Sequence, residues 1–246
     1  MAIADSVTKW QALIQGAMEY AVTSYETTGR VELSDTLNER VRQALLDTWS
    51  EAGRAEGSSV MEQFKAGYVH LESKDDTESL YNRILEEYVA QFGALRVAQI
   101  TDATREQVRR VIDSGLKSGQ SVAEIVKELR GGISEFSRLR AHIIARTETH
   151  SASQYASLGV ARASRLTLVK RWVAASDHRT RDFGEGDGII DSHNHRAMSG
   201  VTVALDSPFM VPTKRNTLEP LMYPGDPNGT AGNVINCRCA MVYKKA

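Results

Sequence analysis

Apolar residues recur at intervals of three and four through the first two-thirds of the chain, and this spacing predicts amphipathic helices. Three stripes show it clearly: Trp10, Leu13, Ile14, Ala17 and Ala21; Val41, Leu45, Thr48 and Trp49; and Leu80, Ile84, Leu85, Tyr88 and Phe92. Because the first proline is Pro208, no earlier residue removes a helical hydrogen bond by lacking an N–H. The pattern therefore predicts a helical N-terminal region.

Local signals predict where some of these helices begin and end. Ser121-Val-Ala-Glu124 is a capping box, in which the serine caps an amide three residues on and the glutamate reaches back. We expect Gly131-Gly132 to end the short helix that this box opens. Thr104 predicts a similar but weaker helix start, and Gly115 and Gly119 mark the turn between these helices.

The spacing next predicts one longer helix over residues 135–165. Its inward face is expected to carry Phe136, Leu139, Ile143, Ala152, Tyr155 and Ala156. The middle of this helix holds Arg146-Thr-Glu-Thr149, where two threonines and an ion pair are unfavourable for helix propensity alone. We expect Arg146, Thr147 and Glu148 to form a polar network that joins the helix to the C-terminal region. A catalytic Glu148 is the alternative.

The pattern changes near residue 166 to short β-rich segments and loops. Residues 166–173, 201–205 and 234–242 predict strands, and the first of these contains Trp172. Residues 184–188, Gly-Glu-Gly-Asp-Gly, predict a flexible insertion. The fold class is therefore α+β, with a helical N-terminal two-thirds and a small β-rich, loop-rich C-terminal domain.

Charge is distributed unevenly along three predicted segments, residues 1–100, 101–165 and 166–246. Residues 1–100 carry 9 basic and 16 acidic side chains, whereas residues 101–172 carry 13 basic and 7 acidic ones. The basic stretch includes Arg105, Arg109, Arg110, Arg138 and Arg140. These arginines either contact DNA or an acidic protein surface, or they solvate helix faces and pair with nearby carboxylates.

Composition excludes several classes of protein. Two cysteines do not make a secreted disulfide framework, and residues 1–10 lack a basic segment followed by an apolar run. No stretch approaches the roughly 18–20 apolar residues of a membrane span. Motifs for nucleotide binding, serine hydrolysis and zinc proteolysis are absent from the sequence. We therefore expect a soluble protein of a reducing cytoplasm, not an enzyme, with no membrane partner and, apart from the metal question below, no cofactor.

Asp177-His-Arg-Thr-Arg181 follows the first predicted strand. Arg179 and Arg181 could bind a phosphate or a carboxylate through their guanidinium groups. Alternatively, Asp177 caps a turn in a loop held by ion pairs. We favour the second interpretation, a structural loop held by ion pairs.

Cys237 and Cys239 are the only cysteines in the chain. Alternate residues of a strand share a face, so the two sulfurs should lie side by side with Arg238 opposite. This arrangement suits a metal half-site or a paired core position, and it suits a mutual disulfide poorly. His195 is a candidate third zinc ligand. No base is positioned in sequence to activate either thiol, so we expect a role in folding rather than in catalysis.

Six motifs occur in one order: Ile144-Ala-Arg-Thr-Glu148; Trp172 with Asp177-His-Arg-Thr-Arg181; His195-Arg-Ala-Met-Ser-Gly200; Pro208-Phe209; Pro224-Gly-Asp-Pro227; and Asn236-Cys-Arg-Cys239. This series, over about residues 100–243, resembles the phage Mu F-like minor head protein family, the head-morphogenesis proteins of tailed phages and prophages. The resemblance implies a virion component at the portal or capsid interior, present in the bacterial cytoplasm during assembly. Its implied partners are portal and capsid proteins and double-stranded DNA during packaging or ejection. The alternative is a metal-dependent nuclease or hydrolase built on the C-terminal His, Cys and Asp residues.

The resemblance also bears on zinc. Family variants have cysteines after the Asp-x-x-Thr position that pair with the terminal Cys-x-Cys, which implies a metal or a cysteine–histidine core at His195, Cys237 and Cys239. This sequence departs from that pattern twice. Arg181 stands where such a variant has a cysteine, and residues 182–194 form an insertion before His195.

Overall fold

The computed structural model describes residues 2–65 and 74–246 and confirms the α+β class. Four long helices come first: α1 (Ala2–Thr28), α2 (Leu37–Lys65), α3 (Lys74–Lys117) and α4 (Val122–Ala163). The C-terminal elements are β1 (Leu168–Val173), β2 (Thr202–Ala204), β3 (Phe209–Pro212), β4 (Leu218–Leu221), α5 (Ala231–Val234) and β5 (Ala240–Lys245). No helix within residues 2–65 and 74–246 is long and apolar enough to cross a membrane.

The capping box at the start of α4 is confirmed. The Glu124 amide donates to Ser121 Oγ at 3.3 Å, and the Ser121 amide donates to a Glu124 carboxylate oxygen at 2.7 Å. The turn before α4 also lies where Gly115 and Gly119 predicted it. Gly119 has a φ of +75°, which an L-residue rarely adopts. This start of a helix is set by contacts within four residues, which is why the sequence alone reveals it.

Two predicted helix boundaries are wrong. Gly131-Gly132 lies inside α4, and Thr104 lies inside α3, where its hydroxyl donates to the Ile100 carbonyl at 2.8 Å. Each glycine costs a helix about 1 kcal/mol relative to alanine. Burial of Ile125, Leu129 and Ile133 on one face of α4 outweighs that cost, so the helix continues.

The inward face expected for residues 135–165 is partly wrong. Leu139 and Ile143 are 48% and 40% exposed. The buried positions of residues 135–146 are Ser137, Ala141, Ile144 and Ala145, and three of these four are small. Small side chains allow close helix packing, so in this stretch a face made mostly of small residues packs inward.

The described chain divides into two compact units. Unit 1 comprises Met1–Thr48 and Val89–Arg146, and unit 2 comprises Trp49–Tyr88 and Thr147–Ala246. Helices α2, α3 and α4 each contribute residues to both units.

Unit 1 is built from helices whose apolar stripes form its interior. The first two predicted stripes are buried in it, since Trp10 and Ile14 of α1 and Val41 and Leu45 of α2 are all buried. The indole N–H of Trp10 donates to Thr48 Oγ1 at 3.2 Å, which satisfies the polar edge of this core.

Unit 2 contains an antiparallel sheet in the order β2-β1-β5 and a separate β3-β4 hairpin. Its core includes Leu158, Trp172, Ala174, Met198, Phe209, Val211, Leu221, Tyr223, Cys237, Cys239 and Met241. Strand β1 alternates between buried and more exposed residues, with Leu168, Lys170 and Trp172 buried. The buried Lys170 ammonium donates to the Met222 carbonyl at 2.6 Å and lies 5.3 Å from the Phe209 ring centroid.

The strand predicted at 234–242 begins only at Ala240, because α5 and a turn occupy the residues before it. The sequence pattern missed β3 and β4, which the loop-rich composition of that region concealed.

The continuity of α4 is testable at its glycine pair. A Cβ at exposed Gly131 would meet no atom within 4 Å, whereas one at Gly132 would lie 2.6 Å from Cε2 of Phe136. We expect Gly131→Ala to raise the free energy of unfolding by about 0.5–1 kcal/mol, because alanine restricts the unfolded chain and suits a helix. The free energy of unfolding should rise less in Gly132→Ala, because the added Cβ would crowd the Phe136 ring. Chemical denaturation measures both, and a destabilised Gly131→Ala protein would mean that the helix breaks there.

Candidate functional site

The two cysteines lie between α5 and β5 in the core of unit 2. Cys237 and Cys239 are free thiols, 1% and 2% exposed, and their sulfurs lie on the same side of the chain. His195, 1% exposed, faces both of them, with Nδ1 3.7 Å from Cys237 Sγ and 3.6 Å from Cys239 Sγ. The three ligand-type atoms are all within 4.8 Å of one another. We call these three residues the His-Cys-Cys cluster.

Asn233 orients the histidine of the cluster. His195 Nε2 lies 2.6 Å from the Asn233 side-chain oxygen, which can only accept a hydrogen bond. The proton of a neutral imidazole is therefore on Nε2, and Nδ1 presents its lone pair to the sulfurs. Trp172 packs its ring edge-on against His195, with centroids 5.4 Å apart. Sequence reasoning missed Asn233, which nothing in its Gly-rich surroundings distinguishes.

Electrostatics makes the two thiols unequal. A hydrogen bond from Cys237, aided by His195, lowers the pKa of Cys239 despite its burial. The same sulfur–sulfur hydrogen bond, together with burial, raises the pKa of Cys237. A base that lies far away in sequence does reach the cysteines in the fold, since His195 is about 40 residues from them along the chain and contacts both. Burial nevertheless closes the thiols to reagents in solution.

In the Asp177 loop, Asp177 caps a turn and forms an ion pair. The Asp177 carboxylate accepts two hydrogen bonds from the Arg238 guanidinium and one from the Arg179 amide at 3.0 Å. Arg238 holds the pKa of Asp177 well below its usual range. Arg238 thus reaches away from the cysteines on either side of it. The Arg181 guanidinium donates to the Ile235 carbonyl, and the Arg179 side chain is exposed.

The Arg-Thr-Glu segment of α4 contributes two buried polar groups to unit 2. Thr147 Oγ1 accepts a hydrogen bond from the Asn236 amide at 3.1 Å. A Glu148 carboxylate oxygen accepts one from the indole N–H of Trp49 at 3.1 Å. Arg146 is half-buried and forms no hydrogen bond or ion pair within the described ranges. Thr147 thus joins α4 to the C-terminal region, whereas Glu148 is hydrogen-bonded to Trp49 of α2.

Three further polar residues continue this face of α4. Ser151 Oγ donates to the Gly225 carbonyl at 2.7 Å, Gln154 accepts from the Met241 amide at 3.1 Å, and Ser157 bonds the Tyr243 hydroxyl at 3.0 Å. We call Thr147, Ser151, Gln154 and Ser157 the α4 polar row. Sequence reasoning missed its last three members, although polar residues at helical spacing in an otherwise apolar stretch were the available signal.

Comparison with known proteins decides the family. A family model described as phage Mu protein F like protein matches residues 106–242, which is more than half of the chain. The chain belongs to the phage Mu F-like family. No curated protein and no solved structure matches it. The predicted resemblance is thereby confirmed, and it makes this protein one of the phage head morphogenesis class.

The region matched to the phage Mu F-like family begins inside α3 and takes in the His-Cys-Cys cluster and the α4 polar row. It also contains four of the five candidate arginines. Arg109, Arg110 and Arg138 are exposed and form no ion pair among the residues that the structure describes. Arg105, just before the matched region, pairs with Asp102 at 2.7 Å.

Arg140 differs from the other arginines because it is bonded within unit 1. Its guanidinium donates to the Ile100 carbonyl at 3.1 Å and to Thr104 Oγ1 at 3.3 Å. Burial, and then the charge of Arg110, lowers its pKa. Arg140 therefore contributes to the packing of unit 1.

The Glu148–Trp49 hydrogen bond yields a stability prediction. Glu148→Ala leaves the buried indole N–H without this acceptor, and we expect the free energy of unfolding to fall by about 1–3 kcal/mol. Glu148→Gln keeps an acceptor oxygen for the indole N–H, so the free energy of unfolding should fall less than in Glu148→Ala. Arg146→Ala, the matched control on the same helix, should change stability by less than about 0.5 kcal/mol. Thermal and chemical denaturation test this, and equal losses for Glu148→Ala and Arg146→Ala would contradict it.

Proposed function

We propose that this protein is a structural component of a phage head that acts during head assembly at the portal or in the capsid interior. The match of residues 106–242 to the phage Mu F-like family carries the proposal. Its partners would be portal and capsid proteins, and its place would be the virion after assembly in the host cytoplasm.

Burial of the His-Cys-Cys cluster supports a non-enzymatic role. A metal-dependent nuclease or hydrolase, the alternative function, must bring a metal-bound water to its substrate. His195, Cys237 and Cys239 are each at most 2% exposed, so a phosphodiester or peptide bond cannot reach them without opening the core. The nearby Asp177 carboxylate is bonded to Arg238 and to its own loop. These contacts favour the structural role.

A contact with packaged DNA would use the exposed arginines of unit 1. Arg109, Arg110 and Arg138 present positive charge without a carboxylate partner in the described part of the chain. Phosphate contacts of this kind bind without sequence preference and weaken as salt displaces them. The same charges would otherwise face an acidic surface of the portal.

The head assignment is tested in the phage or prophage that encodes the chain. Mass spectrometry of purified procapsids and virions should find the protein, and deletion of its gene should lower the yield of infectious heads. Restoring the full-length chain from a plasmid should restore that yield, which controls for effects on neighbouring genes. Absence of the protein from both particles, or a metal-dependent nuclease activity of the purified protein, would contradict the proposal.

The DNA contact predicts a salt-dependent affinity. Reversing Arg109, Arg110 and Arg138 to Glu should weaken binding to all DNA sequences alike and reduce the salt slope by up to about 3. Reversing the exposed Arg30, Arg40 and Arg42 of unit 1 changes net charge equally and is the matched control. Binding isotherms between low and physiological salt measure both. Equal losses in the two triple variants, or no binding by the wild type at low salt, would contradict a DNA contact at this surface.

A further inference from the structure

The His-Cys-Cys cluster has the donor chemistry of a soft-metal site. Two thiolate-forming sulfurs and one imidazole nitrogen are the ligands that Zn²⁺ prefers in proteins. All three side chains are buried, and their donor atoms converge within 4.8 Å. Among the described residues, no other group of three or more His, Cys, Asp or Glu side chains meets at such distances.

The two nitrogen–sulfur separations in the cluster fit one tetrahedral ion. Bond lengths of about 2.3 Å to sulfur and 2.0–2.1 Å to nitrogen place a sulfur and a nitrogen about 3.6 Å apart across a tetrahedral angle. Nδ1 of His195 lies 3.7 Å from Cys237 Sγ and 3.6 Å from Cys239 Sγ. The two separations therefore agree with coordination of one ion by all three residues. Both sulfurs lie close to Nδ1, the ring nitrogen of His195 that is not bonded to Asn233.

Asn233 has the role of a residue that orients a metal-bound histidine. Such histidines donate their second N–H to a carboxylate, a carbonyl or a water, which fixes the ring and its tautomer. His195 makes this bond to the fully buried Asn233 side chain at 2.6 Å. A core made only of thiols and apolar groups would not need the imidazole held with Nδ1 toward the sulfurs.

We propose that Cys237 Sγ, Cys239 Sγ and His195 Nδ1 bind one Zn²⁺, and that Asn233 is the positioning residue for His195. Three protein ligands leave the fourth position to a water molecule, as in catalytic sites, but burial of the cluster closes this water off from any substrate. Arg181, where family variants have a cysteine, is bonded to the Ile235 carbonyl and does not supply a fourth ligand. The site is independent of the proposed head function, because it rests on the donor geometry alone.

The bound ion would act on folding. It would tie the loop that contains His195 to the segment between α5 and β5, two parts of unit 2 separated by about 40 residues of sequence. Because the unfolded chain does not hold these donors together, the binding free energy adds to the stability of the fold.

Elemental analysis of the full-length protein, purified under reducing conditions with a tag that contains no histidine, tests the site. We expect about one zinc per chain, lost in Cys237→Ser, Cys239→Ser and His195→Ala. A strong chelator should lower the unfolding midpoint of the wild type and leave that of the cysteine variants unchanged. Val211→Ala, a matched change in the same core, should lower the midpoint yet keep the zinc.

Cobalt(II) gives a second readout that does not depend on the stability of the variants. The wild type loaded with Co²⁺ should show sulfur-to-metal charge-transfer absorption that Val211→Ala retains. A folded wild type that contains no zinc and takes up neither Zn²⁺ nor Co²⁺ would overturn the proposal. Cysteine variants that keep stoichiometric zinc would overturn it as well.

Asn233 is tested by affinity. We expect Asn233→Ala to weaken Zn²⁺ binding by roughly 10–100-fold, measured by competition with a chromophoric chelator on folded protein. Asn233→Asp keeps an acceptor for the His195 N–H and should recover most of that affinity. Wild-type affinity in Asn233→Ala would overturn the positioning role, since a residue that only packs would change stability and not the competition constant.

Discussion

The hydrogen bonds from the α4 polar row to the C-terminal region are the interaction on which unit 2 depends. The strands after α4 are short, and their loops leave backbone groups that no ladder pairs. A buried backbone group without a partner costs free energy comparable to a lost hydrogen bond. Thr147, Ser151 and Gln154 supply partners for the Asn236 amide, the Gly225 carbonyl and the Met241 amide. The helix therefore supplies hydrogen-bond partners for three backbone groups of the C-terminal region.

The position of the His-Cys-Cys cluster follows from this row. Asn236 directly precedes Cys237, and its amide is bonded to Thr147. Met241 follows Cys239 by two residues, and its amide is bonded to Gln154. The segment that carries both sulfurs is thus attached to one rigid helix at each end. Arg238 adds a third attachment through Asp177. Fixed backbone on both sides keeps the sulfurs directed at His195.

The buried candidate site and the exposed candidate contact residues lie in different compact units. The buried cluster and the polar row belong to unit 2, whereas the unpaired arginines on α3 and α4 belong to unit 1. The proposed partner contacts and the proposed zinc site therefore involve separate parts of the chain. Charge reversal at the arginines should therefore leave the cluster intact.

The sequence by itself determined those features that arise from neighbouring residues. Apolar stripes at helical spacing, the Ser121–Glu124 capping box and the shared side of Cys237 and Cys239 depend on contacts within a few positions, so the local pattern contains them. The family was also legible, because six motifs keep their order along the chain.

Tertiary structure alone decided which side chains meet. The exposure of Leu139, the passage of α4 through Gly131-Gly132, and the pairing of His195 with Asn233 depend on packing between distant segments. Asn233 and His195 are 38 residues apart, and no periodicity relates them. A helix can bury its small face and expose a leucine when close packing favours it, and sequence pattern records only the apolar bulk of each residue.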